Sequence, residues 1–368
     1  MPRNPPTQNQ PVSDAPTSSD AWVIGVDIGG TKVAAGLVNR RTGSISHPTR
    51  VPMSAHGTPA EGLAAVTTAI DSLLAASRGL QSSSAQGAHG VRRAPSAPAV
   101  DSSQSAQGIG VGAPGPLDPN TGVILNPPNL PCWRNFPLGA ELARAYRLPV
   151  KVDNDANAAA LAETLWGAGR GYRNVFFATI GTGIGTGIVF DGQIYHGRTG
   201  AAAEGGHLTI DYDGPPCACG KRGCIEALAA GPAIARLARS RLAAQPAADS
   251  LLRKLAGGHL DGVSSELVGQ ACAAGDPIAA QVLQDVVGFL SIWLGNIIDL
   301  LEPDVIIMGG GVSAMLTPFF PEITQRLPTC CLNQRCQEIP LLPASYGTEV
   351  GIAGGAALCG RDGKEVMR

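Results

Sequence analysis

Charged residues are scarce in this sequence, at 15% of 368 residues, and they nearly cancel to a formal net charge of −2. Nothing in that balance favours nucleic acid or an anionic membrane as a partner. An apolar leader is missing too. Residues 1–20 are rich in Pro, Ser, Thr, Asn and Gln and read as a disordered tail, not a signal peptide. The most apolar stretch, 286–301, is short for a membrane span and is interrupted by Asn296 and Asp299, so it reads as a buried helix. Aromatics are few (4%) against 44% hydrophobic residues, the composition of a soluble globular protein. The length favours two domains over one core. Cysteine, by contrast, is not scarce: there are nine, and three crowd between Cys217 and Cys224. Without an export signal, that favours a reduced, cytoplasmic protein holding a metal.

Glycine is plentiful (48 residues) and clustered, which suggests loops where backbone approaches a ligand closely. Strands are predicted over 22–27, 33–39, 44–51, 149–152, 174–180, 186–190 and 193–196, with a final one over 305–308. Helices are predicted over 58–77, 138–146, 225–242, 264–274, 277–301 and 351–359, with a long Ala-rich helix after Asp153-Asn154-Asp155. Between 79 and 107 the chain is mostly Ser, Ala, Gln, Gly and Pro and reads as a mobile surface insertion. The order describes two α/β units, each with hairpin strands first and helices afterwards.

Three glycine clusters each follow a strand. In Asp27-Ile28-Gly29-Gly30-Thr31-Lys32 a tight turn can aim amides at phosphate oxygens, with Asp27 holding Mg²⁺ or its water shell and Thr31 adding a donor. It is not a Walker A loop, because the lysine follows Thr31 instead of preceding it. Gly181-Thr182-Gly183-Ile184-Gly185-Thr186-Gly187 lacks Rossmann spacing and leads into a strand, so a hairpin turn facing a polyphosphate fits better. Gly309-Gly310-Gly311 could carry a nucleotide's base or sugar. An ordinary glycine hairpin accounts for any one loop; together they favour a nucleotide cleft between two related domains.

Asp155 lies in the first turn of a helix beside Asn154. A sugar hydroxyl does not ionise at neutral pH, so a carboxylate must take its proton as a phosphoryl group arrives. The helix dipole is expected to keep Asp155 ionised while lowering its basicity. Asn154 offers a donor and an acceptor to neighbouring hydroxyls. Asp153 and Asp155 could equally be plain helix caps. More specific is the set His207, Cys217, Cys219 and Cys224, one His and three Cys within eighteen residues, which matches a closed tetrahedral Zn²⁺ site. Four protein ligands leave no position for a catalytic water, so this zinc would be structural and would pin the loops carrying Glu204 and Glu226.

With these residues in order, the sequence resembles the ROK family (repressors, open reading frames and kinases), and within it the glucokinases. The carriers are Asp27 to Lys32, Gly112-Ala113-Pro114-Gly115, Asn154-Asp155, Glu204 with His207, and the cysteine motif ending at Glu226. The resemblance implies a two-lobed α/β fold of the actin-like ATPase (ribonuclease H-like) type with a structural zinc loop in the larger lobe. The small lobe would comprise 21–136 plus 350–368, and the large lobe 137–349 would carry the sugar and zinc sites. It also implies ATP and Mg²⁺ as co-substrate and cofactor, Asp155 as base, and Asn129, Asn154, Glu204, His207 and Glu226 as sugar ligands. Asp27, Gly29, Gly30, Thr31, Lys32, Thr182 and Gly183 match phosphate loops, and Gly310 the adenosine loop. A homodimer or homotetramer is expected. The acceptor would be a hexose, glucose first, with N-acetylmannosamine, N-acetylglucosamine and fructose as alternatives. A DNA-binding regulator is disfavoured, because the twenty residues before Ala21 are too few for a helix-turn-helix unit. Two departures stand out: the 79–107 insertion, and Gly205 where a bulkier residue is frequent.

Overall fold

The computed structural model describes residues 21–84 and 106–360. The 1–20 tail and most of the expected insertion lie outside them. The first half opens with β1 (Trp22–Ile28), β2 (Lys32–Asn39) and β3 (Ile45–Pro52), followed by α1 (Pro59–Ser84) and β4 (Ile109–Ala113). A short hairpin, β5 (Leu117–Asp118) and β6 (Val123–Ile124), precedes α2 (Leu138–Tyr146) and β7 (Val150–Asn154). The second half runs α3 (Asp155–Leu165), β8 (Asn174–Ile180), β9 (Ile184–Phe190), β10 (Gln193–Ile194), α4 (Ile225–Ala229), α5 (Gly231–Ala244), α6 (Leu251–Leu255), α7 (Ser265–Ala273) and α8 (Pro277–Leu301). It closes with β11 (Val305–Gly309), α9 (Gly311–Leu316), α10 (Phe320–Arg326), β12 (Leu341–Pro343) and α11 (Val350–Ala357).

Both large sheets have the same topology. One is ordered β3-β2-β1-β4-β7 and the other β10-β9-β8-β11-β12. In each, an antiparallel trio supplies one side and two parallel strands the other. The central strands are apolar on both faces: Val23, Ile24, Val26 and Ile28 of β1 and Val305 to Met308 of β11 are all buried. Such double-sided burial is what parallel sheets covered by helices require. α11 lies directly on β1 and β4. A Cβ on Gly25 would stand 2.0 Å from the Ile352 carbonyl oxygen, and one on Gly110 would stand 1.8 Å from that of Gly355. Only glycine permits this backbone-on-backbone approach.

α1 starts in a capping box. Thr58 Oγ1 accepts from the Glu61 N–H at 3.2 Å, and Glu61 Oε2 accepts from the Thr58 N–H at 2.6 Å. The helix runs to Ser84, so the insertion does not begin at 79. Gly79 costs only about 1 kcal/mol inside a helix, which an anchored helix tolerates. The insertion also ends early, since the Gln107 N–H donates to Trp22 O at 2.8 Å. α8 matches its expected limits, capped by Asp276. By length and composition it is the one helix among the described residues that could cross a membrane. Its apolar face (Val282, Leu283, Val286, Leu290, Trp293, Leu294) is buried in the second core, each such side chain contributing about 1.5–3 kcal/mol.

Other expectations need correction. The single helix over 225–242 is two, broken at extended Ala230, because Pro232 in a helix interior would lose a hydrogen bond and clash with the preceding turn. The strand predicted over 305–308 is not the final one, because β12 follows it and pairs parallel to β11. The lobe boundary expected at 136/137 falls later: Leu138, Leu142 and Val152 belong to the first core and β7 pairs with β4. The chain crosses at the junction of β7 and α3, between Asn154 and Asp155.

Candidate functional site

That crossing point is where the candidate site is built. Asn154 is the cap of α3: its Oδ1 accepts from the N–H groups of Ala156 (2.9 Å) and Asn157 (3.2 Å). The expectation that Asn154 presents both a donor and an acceptor is thereby corrected. The cap uses its oxygen and leaves Nδ2 on the side of Gly115. Asp155 is the first helical residue, and its Oδ1 accepts its neighbour's Ala156 N–H at 2.8 Å. Asp153 is not a cap. It is 5% exposed, accepts from Asn154 N at 2.7 Å and from Asn157 Nδ2 at 3.2 Å, and pairs through Oδ2 with His196 Nε2 at 2.6 Å.

Asn154, Asp155 and Glu204 line a cavity of about 250 Å³ together with Gly115, Pro116, Thr186 and the 199–203 segment. Asp155 is crowded by the cleft walls, yet its side chain is accessible from this cavity. Burial, then the facing Asp27 carboxylate, and then Glu204 push its pKa up to about 6, although the Ala156 N–H works the other way. The lowered basicity expected from the helix N-terminus is therefore outweighed. Asp27, at the end of β1, is itself pushed up by burial, with Lys32 and Arg50 countering. Two carboxylates facing one cleft without a cation resist joint ionisation.

The glycine loops occupy equivalent places in the two sheets. The Gly29 N–H closes the β1–β2 turn on Lys32 O at 2.9 Å, and the Gly181 N–H closes the β8–β9 turn on Gly183 O at 2.9 Å. Thr31 and Lys32 are exposed at the first turn. Gly30 backs onto the 126–129 loop: a Cβ there would stand 3.0 Å from the Asn129 carbonyl oxygen. Asn129 thus lies against the first glycine loop and does not line the small cavity. A second, larger cavity of about 850 Å³ is walled by Gly181, Thr182, Gly231, Ser265, Gln270 and Gly311, among others. Gly310, at φ +88°, caps α9 beside it, and a Cβ there would stand 2.3 Å from Ile180 O. Gly231, Ser265 and Gln270 carry no sequence motif and reach the cavity only through helix packing.

His207, Cys217, Cys219 and Cys224 come together, with ligand atoms all within 4.8 Å of one another. Cys217 Sγ is 3.7 Å from His207 Nδ1 and Cys219 Sγ is 3.7 Å from Cys224 Sγ. A tetrahedral zinc with bonds of about 2.3 Å has ligand–ligand edges of about 3.8 Å, whereas a disulfide would need about 2.05 Å. The residues fit a zinc ion. Glu226 stands next to this cluster, 4.0 Å from His207 Nδ1 through Oε1. Its Oε2 accepts from the Ile184 N–H at 2.8 Å, and it lies under Gly183 of the second glycine loop. His207 and Glu226 therefore border the small cavity's Glu204 wall without lining it.

A model of the ROK family matches residues 97–362. The glucokinase of Halalkalibacterium halodurans is 34% identical over 92% of this chain and 95% of its own. The structure of a ROK family glucokinase from Streptomyces griseus in complex with glucose and AMPPNP superposes with a TM-score of 0.73 at 32% identity, covering 92% of this chain and 99% of that one. The xylose repressor of Caldicellulosiruptor bescii is 30% identical over 67% of this chain and 58% of its own length. With two sheets of like topology, paired glycine turns and a family match spanning most of the described residues, this chain belongs to the ROK family.

Proposed function

We propose that this chain is a cytoplasmic, ATP-dependent hexose kinase that converts glucose to glucose 6-phosphate, with Asp155 as general base. The observation that carries the reading is the placement of the Asp155 carboxylate beside Asn154 and Glu204 on the wall of one cavity sized for a hexose; burial and the facing Asp27 push its pKa up to about 6. Such a group is mostly ionised at neutral pH yet a better proton acceptor than an ordinary aspartate. It takes the proton of the 6-hydroxyl as that oxygen bonds to the γ-phosphorus, and the bond to the β-phosphate oxygen breaks to release ADP.

The remaining residues bind and orient. Asn154 and Glu204, on the cavity wall, would hold the hexose hydroxyls, with Asn154 acting as a donor through Nδ2, while His207, Glu226 and Asn129, which lie outside the lining, would reach the sugar only at the cavity's edge. Gly29, Gly30, Thr31, Lys32, Thr182 and Gly183 would hold phosphate oxygens, and Gly310 would border the adenosine in the larger cavity. Mg²⁺ held through Asp27 would screen phosphate charge. Zinc on His207, Cys217, Cys219 and Cys224 would supply rigidity alone, its four positions being filled by protein.

The names of the similar glucokinases, and the glucose and AMPPNP bound in the S. griseus structure, support glucose and ATP. ADP release measured across glucose, mannose, fructose and the N-acetylhexosamines tests the proposal. Turnover greatest with glucose is the expected result. A preference for an N-acetylhexosamine would change the acceptor, and hexose binding without turnover would favour the regulator reading instead.

A further inference from the structure

The segment that carries Glu204 has little regular structure of its own. Between β10 and α4 it forms a 3₁₀ turn over Gly205–His207 and two isolated bridges, Thr209 with Cys224 and Pro216 with Arg222. Ala203, immediately before Glu204, holds φ at +64°. That left-handed conformation is unfavourable for a residue with a Cβ and persists only where surrounding contacts enforce it.

The enforcing contact is Thr186 of β9. Its hydroxyl donates to the Ala203 carbonyl and accepts the Gly205 N–H at 2.8 Å, one bond on each side of Glu204. A hydroxyl has one donor and two acceptor lone pairs, so a single Oγ serves both partners. Trp293 adds a third restraint, donating from Nε1 to Gly205 O at 3.0 Å. Thr186 is 4% exposed, and its position is on the cavity wall. Gly205 completes the arrangement: a Cβ there would stand 2.8 Å from Thr186 Oγ1 and 3.2 Å from its methyl carbon. Thr186 therefore fills the space that a side chain at 205 would need, which gives a physical reason for the glycine.

We infer that Thr186 is a positioning residue of the acceptor site, bracketing Glu204 through Ala203 and Gly205 so that its carboxylate is held toward the cavity. The inference rests on reading Glu204 as a hexose ligand. Thr186→Val keeps the shape and removes both hydrogen bonds, while Thr186→Ser keeps the hydroxyl. Hexose KM is expected to rise about tenfold in Thr186→Val, with the KM for ATP unchanged, and to return to within about twofold of wild type in Thr186→Ser. Wild-type hexose KM in Thr186→Val, or a Thr186→Ser variant as impaired as Thr186→Val, overturns the inference. Should Thr186→Val fail to fold, Gly205→Ala tests the same bracket by setting a methyl against the Thr186 hydroxyl; an unchanged hexose KM there counts against it equally. Absence of any hexose phosphorylation by the wild-type chain would remove the kinase reading and this inference with it. Wild-type turnover with an unaltered variant KM removes this inference alone.

Discussion

Nε2 of His196 lies 2.6 Å from Oδ2 of Asp153, so the strand leading into Asp155 and the loop leading into Glu204 are joined through one side-chain pair. Hydrogen bonding to Asp153 raises the His196 pKa above its usual 6.5, against a smaller opposing effect of burial. The protonated form is therefore favoured by folding. Its stabilisation is fully present below pH 6.5 and is lost as pH rises through the raised folded value. His196 is 34% exposed, so the effect is screened and amounts to less than about 1 kcal/mol. Unfolding midpoints measured from pH 6 to pH 9 should show the wild type losing its margin over His196→Gln. Parallel curves would mean the pair contributes no proton-linked stability.

Asp155→Asn should lower kcat by about a hundredfold to ten-thousandfold while leaving hexose binding within about tenfold, as expected of a group that acts in the transition state. In the wild type, kcat/KM should fall on the acid side with a midpoint near the value of about 6 for Asp155. Near-normal turnover in Asp155→Asn would remove the residue from its role.

Cys219→Ser should lose zinc and thermal stability together, because the other three ligands cannot close a tetrahedron alone. Metal analysis of the purified protein alongside its melting curve checks both. Absence of metal from the wild type with equal melting would refute a structural zinc.

Gly110→Ala should destabilise by about 1–3 kcal/mol or more, since its methyl would be driven into the Gly355 carbonyl at 1.8 Å. A denaturant midpoint within experimental error of wild type would show that α11 can shift to accept it.

Much of the site was legible because its residues cluster along the chain. The zinc ligands fall within eighteen residues, and the glycine loops adjoin strands whose apolar runs are plain. The α8 helix announced its own limits through Asp276 and Pro277. Thr186 and His196 were not legible, because their partners Gly205 and Asp153 lie 19 and 43 residues away and no local pattern marks either bond. Nor could sequence decide among Asp153, Asn154 and Asp155 as the cap, since all three are good cap residues and only the turn of the backbone separates them. β12, three residues long, is too short to show an alternation.

The chain passes between the two sheets along α3, and α11 returns to lie against it. The two helices meet where a Cβ on Gly354 would stand 2.9 Å from the Ala158 carbonyl carbon. Rotation of one sheet against the other about such a contact works like a lever about its fulcrum, moving distant points most and near points least. Asp155 starts α3 one helical turn from Ala158, and Gly351, one turn before Gly354, abuts the Asp27 carboxylate. Both carboxylates therefore sit beside the fulcrum. Their spacing is set by the packing of α3 on α11 and not by the loops at the cleft's outer rim.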